Sequence, residues 1–210
     1  TYHGFSWVTP LPGQWMYAVF AALGVLAACI TVGLAYRAAT VGFFFLFTYV
    51  FLLEQATYLN HLYLVCLLSF VMIFLPANRA FSVDAWRNPT LHSDAVEAWS
   101  LWILRAQLGV VYFFGGVAKL NGDWLRGMPL LQWMETRADW PVVGGLMAWD
   151  GTAWMMSYGG LLLDLCVVPL LVIRRTRPYA LAAALTFHLL NEIIFSIGIF
   201  PYLMSAATLV

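Results

Sequence analysis

Long apolar runs separated by short polar breaks set the pattern of this chain. The first covers 15–35 and is closed by Tyr36 and Arg37, a second covers 41–53 and ends at Glu54-Gln55, and a third covers 59–75 and ends at Pro76. A stretch from 77 to 97 then carries Arg79, Asp84, Arg87, His92, Asp94 and Glu97, the composition of a solvated loop. Apolar runs resume at 101–120, 153–173 and 179–200, the last inside a stretch, 178–210, that Pro201 interrupts. A helix needs about 20 mostly apolar residues to cross a bilayer core of about 30 Å. The six runs therefore predict six membrane segments in an all-α, polytopic transmembrane helical bundle, read as a single domain over 1–210. The 41–53 run is short for a span and predicts a tilted or short helix. Between the fourth and fifth runs, residues 121–152 hold Trp124, Trp133, Trp140 and Trp149 among Met, Gly and scattered charges. That composition predicts an interfacial, Trp-rich segment lying at the headgroup level instead of crossing.

Composition agrees with lipid as the main solvent. The chain is 63% hydrophobic and 10% charged, with a mean hydropathy of +0.83, far from the nearly half apolar, quarter-charged soluble average. Ten basic and ten acidic residues cancel, so there is no electrostatic footprint for nucleic acid. Basic residues in short loops mark the cytoplasmic side. Alternating the sides places Arg37, Arg79, Arg87, Arg174, Arg175 and Arg177 on one face and only Arg126 and Arg137 on the other. Residues 54–58 and 121–152 are thereby assigned to the outer side. Cys29, Cys66 and Cys166 are far apart, each in an apolar run, without CxxC or metal-ligand spacing, and read as helix-packing residues. Residues 1–13 show no basic segment leading into an apolar core, so no signal peptide is read there. The sequence opens without Met and stops within an apolar stretch, which reads as a segment of a longer protein.

Against this background, the few polar groups inside apolar runs are candidates for function, because each costs several kcal/mol to bury in lipid. Lys119 ends the fourth run, with Tyr112, Gly115 and Gly116 seven, four and three residues before it, on its own helical face. Glycines there admit close approach of another helix or of a flat ligand. Lys119 itself reads either as an anchor snorkelling from a helix end or as a functional amine. His61, preceded by Asn60, opens the third run on the same assigned side as Lys119; it reads as an interfacial histidine or as a partner of that lysine. His188 lies within the last run with Asn191 and Glu192 three and four residues on, a polar stripe suited to helix–helix hydrogen bonding or to a site. Asp164 has no sequence-local partner and calls for a proton or a cation, with Arg105 and Lys119 the distant candidates, and it reads equally as half of a structural ion pair or as part of a site. Arg105 and Gln107 read as cytoplasmic-side anchors. A nucleophile elbow, a Walker loop and HExxH are all absent from the sequence, so hydrolase, ATPase and metalloprotease readings lack their groups.

At these same residues the sequence resembles the membrane domain of the vitamin K-dependent gamma-carboxylases, the horizontally transferred transmembrane (HTTM) domain family. The likeness spans essentially the whole chain. Its anchors are Tyr58-Leu59-Asn60-His61-Leu62-Tyr63-Leu64, Ser82-Val83-Asp84, and Tyr112 through Leu120 followed by Asp123-Trp124-Leu125-Arg126-Gly127. Gly159 through Leu165 and Phe187-His188 through Phe200 match as well. In that family a lysine deprotonates a reduced vitamin K hydroquinone, which reacts with oxygen to give a strongly basic alkoxide. The alkoxide removes a γ-proton from a glutamate, carbon dioxide adds, and the quinone leaves as its epoxide.

The resemblance implies that Lys119 is the base and that His61 and His188 are the catalytic histidines. The animal enzymes carry a lysine pair where this chain has Ala118-Lys119. An amine works as a base only when neutral, and apolar surroundings disfavour its charged form. Asn60, Tyr112, Gly115, Gly116 and Asn191 are the candidate contacts to the quinone, and no metal is required. Oxygen and carbon dioxide are the expected co-substrates, and a glutamate-containing peptide, the quinone and the lipid bilayer the expected partners. Two further readings stay open: hydroquinone epoxidation without carboxylation, and a non-catalytic quinone- or lipid-binding module. Relative to the family, an earlier helix and a large extramembrane region that binds the substrate's propeptide are expected beyond the two ends. Glu192 departs from the small polar residue of the animal enzymes. The lack of cysteine pairs in the outer regions points to a bacterial inner membrane with a periplasm-facing site.

Overall fold

A computed structural model describes residues 2–210. Among them the regular structure is all helical. Eleven α-helices are described: α1 (Trp15–Val32), α2 (Tyr36–Leu53), α3 (Asn60–Phe74), α4 (Val83–Arg87), α5 (Ala98–Ala118), α6 (Gly122–Leu125), α7 (Met128–Glu135), α8 (Gly144–Met147), α9 (Asp150–Val172), α10 (Arg177–Phe195) and α11 (Phe200–Thr208). Five of them, α1, α2, α5, α9 and α10, are long and apolar enough to cross a membrane. The protein is an integral membrane protein. The 15 residues of α3 span only about 22 Å at 1.5 Å per residue, short of the bilayer core. The chain divides into two compact units, Thr1–Leu104 and Arg105–Val210.

In the first unit, α1 ends where Gly33 adopts φ +63° and its N–H returns to the carbonyls of Cys29 and Ile30, a left-handed stop that glycine takes without steric cost. A side chain there would also collide with Ser82, whose Cβ lies 2.3 Å from where a methyl group would sit. The helix expected from residue 41 starts instead at Tyr36. Its first turn, though it carries Arg37, is completed from outside. Asp84 accepts the N–H groups of Ala35 (2.8 Å) and Tyr36 (2.9 Å) and the amide of Asn78 (2.9 Å), and the Asp84 N–H donates to Gly33 O (3.0 Å). A carboxylate on the free donors of a helix start satisfies them and faces the positive end of the dipole. These bonds, the Tyr36 N–H foremost and then Asn78, hold the Asp84 carboxyl below the usual carboxylate range. The Tyr36 hydroxyl and the Arg37 guanidinium donate to Met72 O and Ile73 O, closing the last turn of α3. The polar loop is thus a latch over the α1–α2 turn. The Phe44–Phe70 contact continues the α2–α3 interface, and Phe43 and Phe47 stack along α2.

The second unit is built on α9 and α10, which pack against each other, with α7 against α9 and α11 against α10. The Trp-rich segment folds into α6, α7 and α8, none long enough to cross a bilayer. Leu130 and Met134 of α7 are buried with Ala153 and Ile194. Two side chains lock α6 to α9: the Trp124 indole donates to Ser157 O (2.9 Å) and the Ser157 hydroxyl to Trp124 O (2.6 Å). The last span is shorter than expected. Helix α10 stops at Phe195 because Ser196 turns left-handed (φ 50°), followed by Gly198 at φ 68°. Pro201 then opens a separate helix, sitting in the first turn of α11, where its missing N–H is no loss.

Candidate active site

The end of α5 meets the middle of α9 through small residues. A methyl group at Gly116 would sit 2.6 Å from Leu165 Cδ2 and 3.3 Å from the Leu165 nitrogen, and one at Gly115 would sit 3.1 Å from Asp164 Oδ2. Of the two uses open to these glycines, the structure displays helix approach: side chains of α9 occupy the space beside them. That approach sets the two charges together. Lys119 Nζ forms an ion pair and hydrogen bond with Asp164 Oδ2. The two side chains are 20% and 8% exposed, so the pair is withdrawn from water on the carboxylate side and slightly open on the amine side. Nζ also lies 3.4 Å from Gly115 O and 5.2 Å from the centroid of the Trp124 ring, within cation–π range. Gly160, one turn before Asp164 on α9, faces Phe187 and the lysine stem; a methyl group there would stand in ordinary contact, 3.4 Å from Phe187 and 3.9 Å from Lys119 Cε.

A second polar group joins α5, α10 and α11. His188 is 1% exposed and Tyr112 3%, and the Tyr112 hydroxyl is 2.7 Å from His188 Nε2 and 2.9 Å from Thr208 Oγ1. Thr208 donates its one proton to Met204 O (2.7 Å). The direction of the chain follows: Thr208 accepts from Tyr112, and Tyr112 accepts from His188 Nε2–H. His188 therefore carries its proton on Nε2 and presents a lone pair at Nδ1, which is buried without a hydrogen-bond partner. Phe187 and Phe200 pack edge-on to its ring. Four residues on, Glu192 Oε2 is likewise buried without a partner, while Oε1 lies 3.4 Å from the Tyr202 hydroxyl. Asn191 is buried on the same helix.

The expected residues fall out as follows. Lys119, Tyr112, Gly115, Gly116, His188 and Asn191 all belong to the second unit. His61 and Asn60 belong to the first, at the start of α3, the histidine buried and the asparagine exposed. Of the two cations open to Asp164, it takes Lys119; the Arg105 guanidinium donates to Val210 O (3.2 and 3.0 Å). Three contributors were not singled out from the sequence: Trp124, Gly160 and Thr208. The first two lie inside motifs that mark the family. Thr208 carries no signal of its own, because its position depends on the break at Ser196–Gly198.

No solved structure matches this chain. A family model described as the HTTM domain matches residues 1–210. With the whole chain covered, and with the lysine, histidine and glycine motifs gathered around α5, α9 and α10, this protein belongs to the HTTM domain family, the membrane domain of the vitamin K-dependent gamma-carboxylase family.

Proposed function

We propose that this chain is a gamma-carboxylase-type membrane enzyme in which Lys119 is the base toward a reduced vitamin K hydroquinone, with oxygenation to the epoxide driving carboxylation of a glutamate side chain. One observation carries the reading. The matched lysine is not a free anchor at a helix end but a largely buried amine held between the Asp164 carboxylate and the Trp124 indole. The buried carboxylate fixes the amine in place, as a base requires, and because it also favours the charged form, the amine must pass its proton on before it acts.

The residues fit a flat aromatic ring with a long apolar tail. Trp124 offers a stacking face beside the amine, and Phe113 and Phe114, 55% and 62% exposed on α5, offer apolar surface to a tail. When bound, the hydroquinone supplies, with oxygen, the strong base that takes the glutamate γ-proton. Lys119 removes the first hydroxyl proton. His188 offers its Nδ1 lone pair to a hydroxyl, with Tyr112 and Thr208 fixing the ring. His61, at the start of α3 in the first unit, is the residue to which the family likeness assigns a hydrogen bond to developing negative charge. We place the site at the outer face of a bacterial inner membrane, where a glutamate-containing peptide approaches.

The test supplies the purified protein in lipid nanodiscs with vitamin K hydroquinone, oxygen, labelled carbon dioxide and a glutamate peptide, and follows epoxide and fixed label separately. Both products are expected, and both are expected to vanish in a folded Lys119→Ala variant. Epoxide without label would reduce the function to hydroquinone epoxidation. Neither product, or products indifferent to Lys119→Ala, would overturn the reading.

A further inference from the structure

An ammonium cannot serve as a base, so Lys119, paired as an ion with Asp164, has to lose a proton before it can take one. The acceptors within reach of Nζ are Asp164 Oδ2 and, at 3.4 Å, the weaker carbonyl of Gly115. Asp164 is buried, and Gly115 leaves its Oδ2 space that a side chain would take, a methyl group there standing 3.1 Å from that oxygen. Burial and this close approach of α5 and α9 thus hold one carboxylate oxygen against one amine. In apolar surroundings an ion pair loses much of its advantage over the neutral pair, because both charges have been taken out of water.

We propose that Asp164 is the proton-accepting and positioning partner of Lys119. Its role rests on the reading of Lys119 as base. In the first step the Nζ–H bond facing Asp164 breaks and an O–H bond forms on Oδ2, leaving a neutral amine and a carboxylic acid. In the second the amine nitrogen uses its lone pair to take the proton of the hydroquinone hydroxyl, whose bonding pair stays on oxygen. The balance is one ammonium, one carboxylic acid and one hydroquinone monoanion, with the proton parked on Asp164 until turnover returns it. Asp164 touches the amine and not the substrate.

Epoxide formation by the purified protein is compared across Lys119→Ala, Asp164→Asn and Asp164→Glu. Asn keeps the shape and a hydrogen bond but cannot hold the proton; Glu keeps the carboxylate. Asp164→Asn is expected to lower kcat by about 100-fold, the span of one general acid–base contact, with KM for the hydroquinone changed less than about twofold, since uniform binding is untouched. Asp164→Glu is expected to recover at least a tenth of the wild-type kcat, roughly 1.4 kcal/mol. A merely structural aspartate would lower the folded yield without this split and without rescue by Glu.

A second measurement uses the wild-type protein alone. Infrared difference spectra on anaerobic addition of hydroquinone, with carbon-13-labelled aspartate, are expected to show a new protonated aspartate carboxyl band that is missing in Lys119→Ala. Wild-type kcat in Asp164→Asn, or no such band, would overturn this role while leaving the base assignment intact. Full activity in Lys119→Ala would instead remove the reading on which it rests.

Discussion

Separating the Lys119–Asp164 pair should cost more than deleting it. Lys119→Met strands a carboxylate that is 8% exposed, and Asp164→Asn strands an ammonium that is 20% exposed. Losing one partner of a buried pair costs about 3–5 kcal/mol, because the other charge stays buried without compensation. The greater exposure of the amine lets it snorkel, which puts Asp164→Asn near the lower end, about 3 kcal/mol, and Lys119→Met near 4 kcal/mol. The double variant has no stranded charge and should lose only about 1–3 kcal/mol of packing. The coupling energy then comes out at about 4–6 kcal/mol before relaxation and at no less than about 2 kcal/mol after the stranded group neutralises or finds water. That threshold is informative. Neutral hydrogen bonds between membrane helices average about 0.6 kcal/mol in such cycles and reach about 1.7, so a larger value requires charge. The assay is unfolding of the four proteins in one detergent, by midpoint and by denaturant. A double variant as unstable as the sum of the singles, with coupling below about 0.5 kcal/mol, would refute the claim that the pair is buried and mutually dependent.

Other contacts give their own tests. Gly115→Ala places a methyl group 3.1 Å from Asp164 Oδ2, while Gly116→Ala places one 2.6 Å from Leu165; overpacking costs about 1–3 kcal/mol in each case. Thermal midpoints should fall in both, but turnover per folded molecule should fall further in Gly115→Ala. Tyr112→Phe leaves His188 Nε2–H without its acceptor, at a cost of about 1–3 kcal/mol, and should lower epoxide formation; unchanged stability would mean that the Tyr112–His188 bond is not formed. Asp84 has its carboxyl pKa lowered in the folded protein, so its contribution is present above the ordinary aspartate range, near pH 4, and is lost as pH falls through the depressed folded value. Asp84→Asn should therefore be less stable by about 1–2 kcal/mol at neutral pH, with the difference from wild type shrinking in acid. A difference constant from pH 7 down to the acid limit would refute the latch.

The membrane class, the all-helical fold and the placement of five spans follow from apolar runs alone, because lipid forces each crossing to satisfy its own backbone. Boundaries were less legible where a helix end is completed from a distance. Tyr36 starts α2 because Asp84, forty-eight residues away, caps it, and nothing near residue 36 announces that. The stop after Phe195 is a matter of left-handed backbone at Ser196 and Gly198, only one of which is a glycine, and the apolar run continues across it in the sequence.

For the candidate site, local spacing reached half of the answer. Tyr112, Gly115, Gly116 and Lys119 share a face by helical period, and that face is where α5 meets α9. The partner of Lys119 is 45 residues away, and two cations competed for Asp164 in the sequence. What decided between them is steric: Gly115 and Gly116 of α5 let that helix approach α9 at Asp164 and Leu165, one turn from Lys119. The same small residues that look like a packing seam are thus what puts a carboxylate against the lysine. It follows that helix packing and candidate chemistry are not separable in this protein: enlarging Gly115 acts on the carboxylate, whereas enlarging Gly116 acts on Leu165, and only the first should change turnover out of proportion to stability.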